Sequence, residues 1–319
     1  MGRYRSSDLQ VAMQAVRVYY GNMPIPNPVA FTIFGLDIMW YAILICFGIV
    51  IATVLCCRRA PLHGFTSDQV LNMVIISVPA GIIGARLYYV LFHWSWYSGD
   101  LSQIFNTRAG GLAIHGGLIL GLATAAILCK RQRMSPLSLL DLIAPAIALG
   151  QSIGRWGNYF NSEAHGGPTD LPLAVTIDGQ QMHPTFLYES IWCFLLFIFL
   201  LWFDSRQLAI SRSSSPNNGQ AARTPDNGQA ARTPTSDPET RDPYNDKPGS
   251  GFLRPFEGQI FLLYAILYSI ERFFVEALRT DSLMIGPFKQ AQVISLVATA
   301  LALIVYVYLS RRANRSTTN

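Results

Sequence analysis

Charged residues are scarce in this chain. Of its 319 residues, Lys, Arg, Asp and Glu make up 13%, whereas hydrophobic residues make up 51%. A soluble domain usually has about 25% charged residues, so this composition excludes an ordinary soluble protein. The net charge of +5 comes without the basic and aromatic pattern typical of nucleic-acid binding, and no nucleic-acid partner is expected. The composition predicts a polytopic membrane protein.

Cysteine and histidine are few and lack the spacing of known sites. The five cysteines are odd in number and form no CxxC pair, which argues against a disulfide framework or a zinc site. The five histidines form no HExxH motif, so we expect no metal. The spacing GxSxG occurs at residues 150–154, but inside an apolar run with no preceding strand, so it does not indicate a nucleophile elbow. The sequence therefore indicates neither a cofactor nor a covalent nucleophile supplied by the protein.

Long apolar runs are the main feature that the chain does have. A helix needs about 20 residues to cross a hydrocarbon core about 30 Å thick. The first thirty residues lack a continuous apolar run, which argues against a cleavable signal peptide, and the first span is expected to act as the insertion signal. We predict an all-α polytopic membrane protein with seven transmembrane helices, near residues 40–57, 70–92, 111–129, 137–157, 186–203, 257–277 and 290–309.

The positions of Lys and Arg predict the orientation of these spans. Short loops rich in Lys and Arg stay on the cytoplasmic side. One set of flanks has eight basic residues and the opposite set has three, so we expect the N-terminus outside and the C-terminus in the cytoplasm. The eight are Arg58, Arg59, Lys130, Arg131, Arg133, Arg311, Arg312 and Arg315, and the three are Arg108, Arg279 and Lys289.

The chain divides into five regions by composition. Residues 1–39 form an extracytoplasmic N-terminal segment, in which the proline-rich stretch 24–39 predicts an extended strand or small hairpin, and helix should begin near Trp40. Residues 40–203 hold spans 1–5, and residues 257–309 hold spans 6 and 7. The segment 204–256 contains NGQAARTP twice, which predicts a flexible cytoplasmic loop. Residues 310–319 form a cytoplasmic tail.

Polar residues within the apolar spans are the candidates for function. The stretch 154–166 places Arg155, Asn158 and Glu163 at the end of the fourth span, and Arg272, Glu276 and Arg279 share one face of the sixth. Several arginines within a bilayer favour binding of an anionic group such as a lipid phosphate. An interfacial cap at Arg155 and an internal ion-pair lock in the sixth span remain structural alternatives.

His115 lies between apolar and glycine residues in the third span. Imidazole exchanges a proton near neutral pH, so His115 is a candidate base if its span faces the same cavity as the arginines. The alternative is a histidine that only packs. The glycines Gly116, Gly117 and Gly121 of this span predict close approach of another helix.

Four motifs together resemble the prolipoprotein diacylglyceryl transferase family. They are GGLAIHGGL, GRWGNYFNSEAHG, HPTFLYE and ERFFVEALR, beginning at residues 110, 154, 183 and 271. The resemblance runs from about Trp40 to Tyr308 and skips the 204–255 insertion. It implies transfer of an sn-1,2-diacylglyceryl group from phosphatidylglycerol to the lipobox cysteine thiol of a preprolipoprotein. It further implies that glycerol 1-phosphate is released on the outer side of the bacterial cytoplasmic membrane.

The resemblance also implies roles for individual residues. Arg155 and Arg272 would hold the phosphate and stabilise the leaving group, with Glu276 orienting Arg272. His115 would be the base for the substrate thiol. The full set of expected catalytic and lipid-binding residues is Tyr41, Arg86, His115, Arg155, Asn158, Glu163, Gly166, Arg272, Glu276 and Arg279.

A transporter or flippase for an anionic lipid or metabolite is the alternative from another class. Buried Arg and His and a helix interrupted by Pro145 suit alternating access as well. The chain has no self-similar halves of the kind that transporters often contain. A purely structural scaffold would leave the polar residues unexplained.

Overall fold

The protein is mostly helical and polytopic. The computed structural model describes residues 27–107, 110–171, 173–177, 179–213, 255–280 and 282–315, with side chains at 211–213 left out. The expectations for residues 1–26 and for the repeat-bearing loop lie outside the described residues. The long helices are α1 (Trp40–Arg59), α2 (Ser67–Phe92), α3 (Ile114–Arg131), α4 (Pro136–Phe160), α5 (Thr185–Ser213), α6 (Gln259–Leu278) and α7 (Gln290–Arg315).

Helices are confirmed at all seven predicted positions. Six helices in the described part of the chain are long and apolar enough to cross a membrane. The exception is α6, which carries Glu271, Arg272 and Glu276 in its second half. The fold is therefore that of a polytopic membrane protein, and a seventh crossing by α6 stays a prediction.

Three short antiparallel hairpins in the described ranges qualify the prediction of an all-α protein. The first confirms the hairpin predicted within 24–39, and helix α1 begins at Trp40 as expected. The others arise at turns between helices, whose two- and three-residue strands leave no alternating pattern long enough to be recognised in the sequence. The pairs are β1 (Val29–Ile33) with β2 (Leu36–Met39), β3 (Val175–Ile177) with β4 (Gln180–Met182), and β5 (Met284–Ile285) with β6 (Phe288–Lys289).

Local signals set the starts of two helices. Ser135 caps α4 by accepting a hydrogen bond from the amide of Ser138 at 3.4 Å, and Pro136 occupies the first turn, where its missing N–H costs nothing. Thr66 and Gln69 form a reciprocal capping box at the start of α2. Both helices therefore begin where backbone amides receive a side-chain acceptor.

Helices α2 and α3 approach each other closely at two glycines. A Cβ added at Gly84 would lie 2.5 Å from the carbonyl oxygen of Gly116 and 2.5 Å from Cβ of Leu120. A side chain at this crossing would force the helices apart. The close approach predicted for the glycines of the third span is confirmed at Gly116.

Helix α4 organises the remaining bundle by packing against α1, α5 and α6. The core contains Leu142 and Ala146 on one side of α4, and Ala144 and Ala148 on the other. Because α4 ends with Arg155 and the polar turn that follows, this packing carries the sequence-predicted site to one end of the bundle.

Candidate active site

Arg155 and Arg272 are brought together by a carboxylate from a third helix. Glu189, whose side chain is 1% exposed, forms an ion pair with Nη2 of Arg155 at 2.5 Å and accepts a hydrogen bond from Nη1 of Arg272 at 3.1 Å. The three residues come from α4, α6 and α5, respectively. Two guanidinium groups from separate helices thus share one buried carboxylate, whose negative charge offsets the repulsion between the two positive charges.

Hydrogen bonds between α4 and α5 fix the position of Glu189. The hydroxyl of Ser152 donates to the carbonyl of Ser190 at 2.9 Å, and the hydroxyl of Ser190 donates to the carbonyl of Ser152 at 2.8 Å. At the start of α5, Thr185 donates through its hydroxyl to the carbonyl of Ala164. These bonds hold the first turn of α5 against α4, so Glu189 meets Arg155 in a defined geometry.

Two further side chains of α6 orient the arginines. Glu276 forms an ion pair with Nη2 of Arg272 at 2.6 Å, as expected from their four-residue spacing. The phenol oxygen of Tyr268 accepts a hydrogen bond from Nη2 of Arg155 at 3.2 Å. Both guanidinium groups are consequently held from more than one direction, while about a fifth of each arginine side chain remains exposed.

A third carboxylate, Glu271, lies beside this cluster. It is 6% exposed, and neither of its carboxyl oxygens has a hydrogen-bond partner among the described residues. With Glu189 and Glu276 it sets three carboxyl groups against Arg155 and Arg272. Three carboxyl groups beside two arginines keep the net positive charge of the site low. Binding of an anion therefore depends on how far these carboxyl groups already pair with the arginines.

Tyr41 lies on the turn of α4 that follows Arg155. A Cβ added at Gly157 would lie 2.5 Å from Cδ2 of Tyr41, so the ring rests directly on the glycine backbone. The neighbouring residue Trp40 stacks on Phe160 with ring centroids 5.1 Å apart. The start of α1 is thereby fixed to the end of α4, with Tyr41 40% exposed near the site.

Gly166 lies in a tight crossing between three segments outside the bundle. It forms an antiparallel bridge with Arg279, and its amide donates to the carbonyl of His183 at 2.9 Å. A Cβ added at Gly166 would lie 2.6 Å from Cβ of His183 and 3.0 Å from the carbonyl oxygen of Leu278. Only glycine fits this position without moving the backbone of a neighbour.

The turn after α4 and the end of α6 hold the other predicted residues. The amide of Glu163 donates to the carbonyl of Asn158 at 3.0 Å, and its carboxylate accepts from Asn161 at 3.1 Å. Glu163 is exposed, whereas Asn158 is half-buried. At the C-terminus of α6, Lys289 donates to the carbonyls of Glu276 and Arg279 at 2.8 and 2.6 Å, which caps the helix and fixes Arg279.

His115 is placed apart from the arginine cluster. It is exposed at the first turn of α3, with its ring centroid 6.1 Å from that of Tyr88 on α2. No described contact joins it to Arg155 or Arg272. A role as base therefore requires the substrate to extend from the arginines to the α2–α3 pair.

Arg86 is not positioned as a lipid ligand. It is 7% exposed, and all of its N–H groups donate to carbonyl oxygens of the loop before α3. No donor remains for a phosphate, so we assign Arg86 to holding this loop in place. The acceptors are Gln103, Ile104, Asn106, Gly110 and Gly111, at 2.6–3.0 Å.

An apolar cavity of about 430 Å³ lies between α1, α2 and α4. Its lining runs from Cys56, Val70 and Leu139 near one end of the bundle to Gly154, the residue before Arg155. Its walls are almost entirely aliphatic. The cavity provides a largely apolar space that ends beside the charged cluster.

The sequence did not single out Glu189 and Tyr268 as site residues. Glu189 stands in the motif HPTFLYE, one turn into an otherwise apolar helix, and a buried carboxylate at such a place is itself a functional signal. Tyr268 carries no comparable signal, because a tyrosine in an apolar helix is ordinary.

Comparison with known proteins finds similarity along most of the chain. The family described as Prolipoprotein diacylglyceryl transferase matches residues 28–221 and 249–308. A phosphatidylglycerol–prolipoprotein diacylglyceryl transferase of Clostridioides difficile (strain 630) is 43% identical over 89% of this chain and 96% of its own length. Proteins of the same name from Finegoldia magna and Clostridium novyi are 39% and 40% identical, over 90% and 91% of this chain and 98% of their own lengths. The chain belongs to the prolipoprotein diacylglyceryl transferase family.

Proposed function

We propose that this enzyme transfers the diacylglyceryl group of phosphatidylglycerol to the lipobox cysteine thiol of preprolipoproteins and releases glycerol 1-phosphate. The observation that carries the proposal is the pairing of Arg155 and Arg272 through Glu189 in a buried site. A lipid phosphodiester that takes over some of the contacts now made by the Glu189 carboxylate would accept hydrogen bonds from both guanidinium groups. Family membership favours this transfer over the transporter alternative.

The reaction needs positive charge where the leaving phosphate forms. The substrate thiol gives up its proton to a base, for which His115 is the candidate, and its sulfur attacks the glyceryl carbon. The bond from that carbon to the phosphate oxygen breaks, and negative charge grows on this oxygen of the leaving glycerol 1-phosphate. Arg155 and Arg272, already oriented by Tyr268 and Glu276, would stabilise that charge without reorganising. The aliphatic cavity beside Gly154 has the chemistry to hold an acyl chain of the same lipid.

The membrane arrangement is part of the proposal. Helix α6 would complete the set of seven spans, since its Arg272 is paired with Glu189 of α5 and with Glu276 rather than exposed to lipid. The basic ends of α1, α3 and α7 would lie in the cytoplasm of a bacterial cell. The N-terminus and the arginine cluster would then lie toward the extracytoplasmic side, and the loop within 204–256 toward the cytoplasm.

Mass measurement of a peptide product tests the proposed reaction. The purified protein is incubated with phosphatidylglycerol and a peptide that contains a lipobox cysteine, and we expect a mass gain of one diacylglyceryl unit. A peptide with serine in place of that cysteine is the control and should stay unmodified. A cysteine peptide that also gains no mass would refute the assignment.

Gly166→Ala should abolish most of the transfer activity. The added methyl group would collide with Cβ of His183 and the carbonyl oxygen of Leu278 and would displace the crossing that fixes Arg279. Gly167→Ala is the matched control, because its Cβ would meet only Thr280 Cγ2 at 3.8 Å. Equal initial rates for both variants would show that this crossing does not position the site.

His115→Gln should lower the rate strongly near neutral pH and recover part of it at alkaline pH. A free thiol has a pKa of about 8.5, so a general base is needed most below that pH. The rates of both proteins are measured from neutral to alkaline pH. A deficit of the same size at every pH would assign His115 a hydrogen-bonding role instead.

A further inference from the structure

A second polar cavity lies at the opposite end of the bundle from the arginine cluster. Its volume is about 350 Å³, and it is lined by the segment after α1, the start of α4, the last part of α5 and the start of α6. Asp141 in its wall and Arg155 in the proposed active site are both on α4, fourteen residues apart. That separation is about 21 Å along a helix.

Acidic groups predominate in this cavity. Asp141, Asp204 and Glu257 line it, and among the described residues of the lining His63 is the only basic side chain. Arg59, close by, pairs with Asp204 at 2.6 Å, and Nε2 of His63 lies 3.1 Å from the same carboxylate oxygen. In the part of the chain that the structure describes, three carboxyl groups face one arginine and one histidine, which leaves an excess of acidic groups. The excess contrasts with the basic residues that end α1 and α3 at the same side of the bundle.

Two carbonyl oxygens in the lining have no hydrogen-bond partner among the described residues. They are Oε1 of Gln207 and Oε1 of Gln259, whose residues are 6% and 1% exposed. The amide nitrogen of Gln259 is already used, since it donates to the hydroxyl of Tyr306 at 3.0 Å. A buried acceptor without a donor costs about 1–3 kcal/mol, so both oxygens favour a ligand that brings N–H groups.

The lining suits an organic cation better than a metal ion. In the ranges that the structure describes, no group of three His, Cys, Asp or Glu side chains is arranged to hold a metal. Both oxygens of Asp141 already accept backbone amides, from Gly258 at 2.6 Å and Phe261 at 3.0 Å. An ammonium or guanidinium group needs acceptors in several directions rather than a closed carboxylate cage.

We propose that this cavity binds a Lys or Arg side chain from the N-terminal region of the substrate signal peptide. The inference rests on the proposed function, which places a lipobox cysteine at the arginine cluster. Signal peptides begin with a basic region that is followed by an apolar region of about 7–15 residues. As a helix, that apolar region and the few residues before the cysteine span about 20 Å, which matches the separation of the two sites.

Two peptide substrates and two lysine variants test the proposal. The peptides share one lipobox and one apolar region and differ only in having Lys or Gln in the N-terminal region. Gln207→Lys removes one of the two unpartnered oxygens and places an ammonium group in the cavity. Ser205→Lys adds the same charge two residues away at an exposed position and is the matched control. The KM and kcat of diacylglyceryl transfer are measured for both peptides with the full-length chain.

We expect the wild type and Ser205→Lys to bind the basic peptide with a lower KM than the neutral one. Anionic lipid attracts basic peptides to the membrane for every variant alike, so the comparison between variants isolates the cavity. Gln207→Lys should raise the KM of the basic peptide about tenfold, the effect of losing one charge-assisted hydrogen bond, and leave the neutral peptide and both kcat values unchanged. Gln207→Met should shift KM in the same direction by a smaller factor.

Three results would overturn the proposal. One is an equal peptide preference in Gln207→Lys and Ser205→Lys. Another is an equal rise in KM for both peptides, which would indicate a packing effect. The third is that neither the wild type nor any variant distinguishes the two peptides. That result is expected if a Lys or Arg side chain of this protein itself fills the cavity. Failure of the wild type to modify either peptide would instead refute the proposed function.

Discussion

Arg155→Ala or Arg272→Ala should reduce kcat/KM for diacylglyceryl transfer at least about 100-fold, a loss of about 2.7 kcal/mol in transition-state stabilisation. Each arginine would meet the phosphate where negative charge develops. The lysine variants at the same positions should recover only part of the rate, because a single ammonium lacks the paired donors of guanidinium. Rates are measured with phosphatidylglycerol and the cysteine peptide.

The double variant shows whether the two arginines act on one group. If both bind the same phosphate, Arg155→Ala combined with Arg272→Ala should lose far less than the product of the single losses. Arg131→Ala is the control. Arg131 is exposed at the C-terminal end of α3, and this variant should keep normal activity and membrane insertion. Near-normal transfer by either single variant would contradict the assignment, and multiplicative losses would indicate two separate roles.

Glu189→Gln should disturb both catalysis and stability. The carboxylate holds Arg155 and Arg272 at once and is 1% exposed, so its loss leaves two largely buried cations without their common partner. Removing one member of a buried ion pair costs about 3–5 kcal/mol of stability. Misplacing catalytic groups by about 1 Å lowers a rate about 100-fold. We therefore expect kcat to fall by that order while phosphatidylglycerol still binds.

Two measurements separate these effects. The thermal midpoint in detergent reports stability, and kcat measured well below that midpoint reports catalysis. Asp68→Asn is the matched control, since it makes the same carboxyl-to-amide change at an exposed position in the first turn of α2. Glu189→Gln with normal stability and normal kcat would show that the carboxylate is not needed to hold the arginines.

Features that depend on neighbours in the sequence were predictable. The starts of α1 and α4 follow from the composition change at Trp40 and from the Ser135–Pro136 pair. The pairing of Arg272 with Glu276 follows from four-residue spacing on one helix. In each case the interacting groups lie within one or two turns, so the sequence pattern alone contains the geometry.

Features that depend on how helices pack were not predictable from one sequence. The use of Glu189 by both arginines requires the register of α5 against α4 and α6, which the two serine hydroxyls fix and no local pattern encodes. Arg86 was expected at the lipid, but a long arginine reaches whichever acceptors the fold supplies, and here these are loop carbonyls. His115 likewise lies on the α2–α3 pair because the glycines there set which helices meet.

The position of the lipid phosphate in a complex with phosphatidylglycerol tests the central claim most directly. A structure of that complex should show phosphate oxygens within about 3 Å of guanidinium nitrogens from both Arg155 and Arg272. It should also show an acyl chain in the aliphatic cavity that ends at Gly154. A phosphate bound away from these arginines, with Glu189 still holding both of them, would contradict the account.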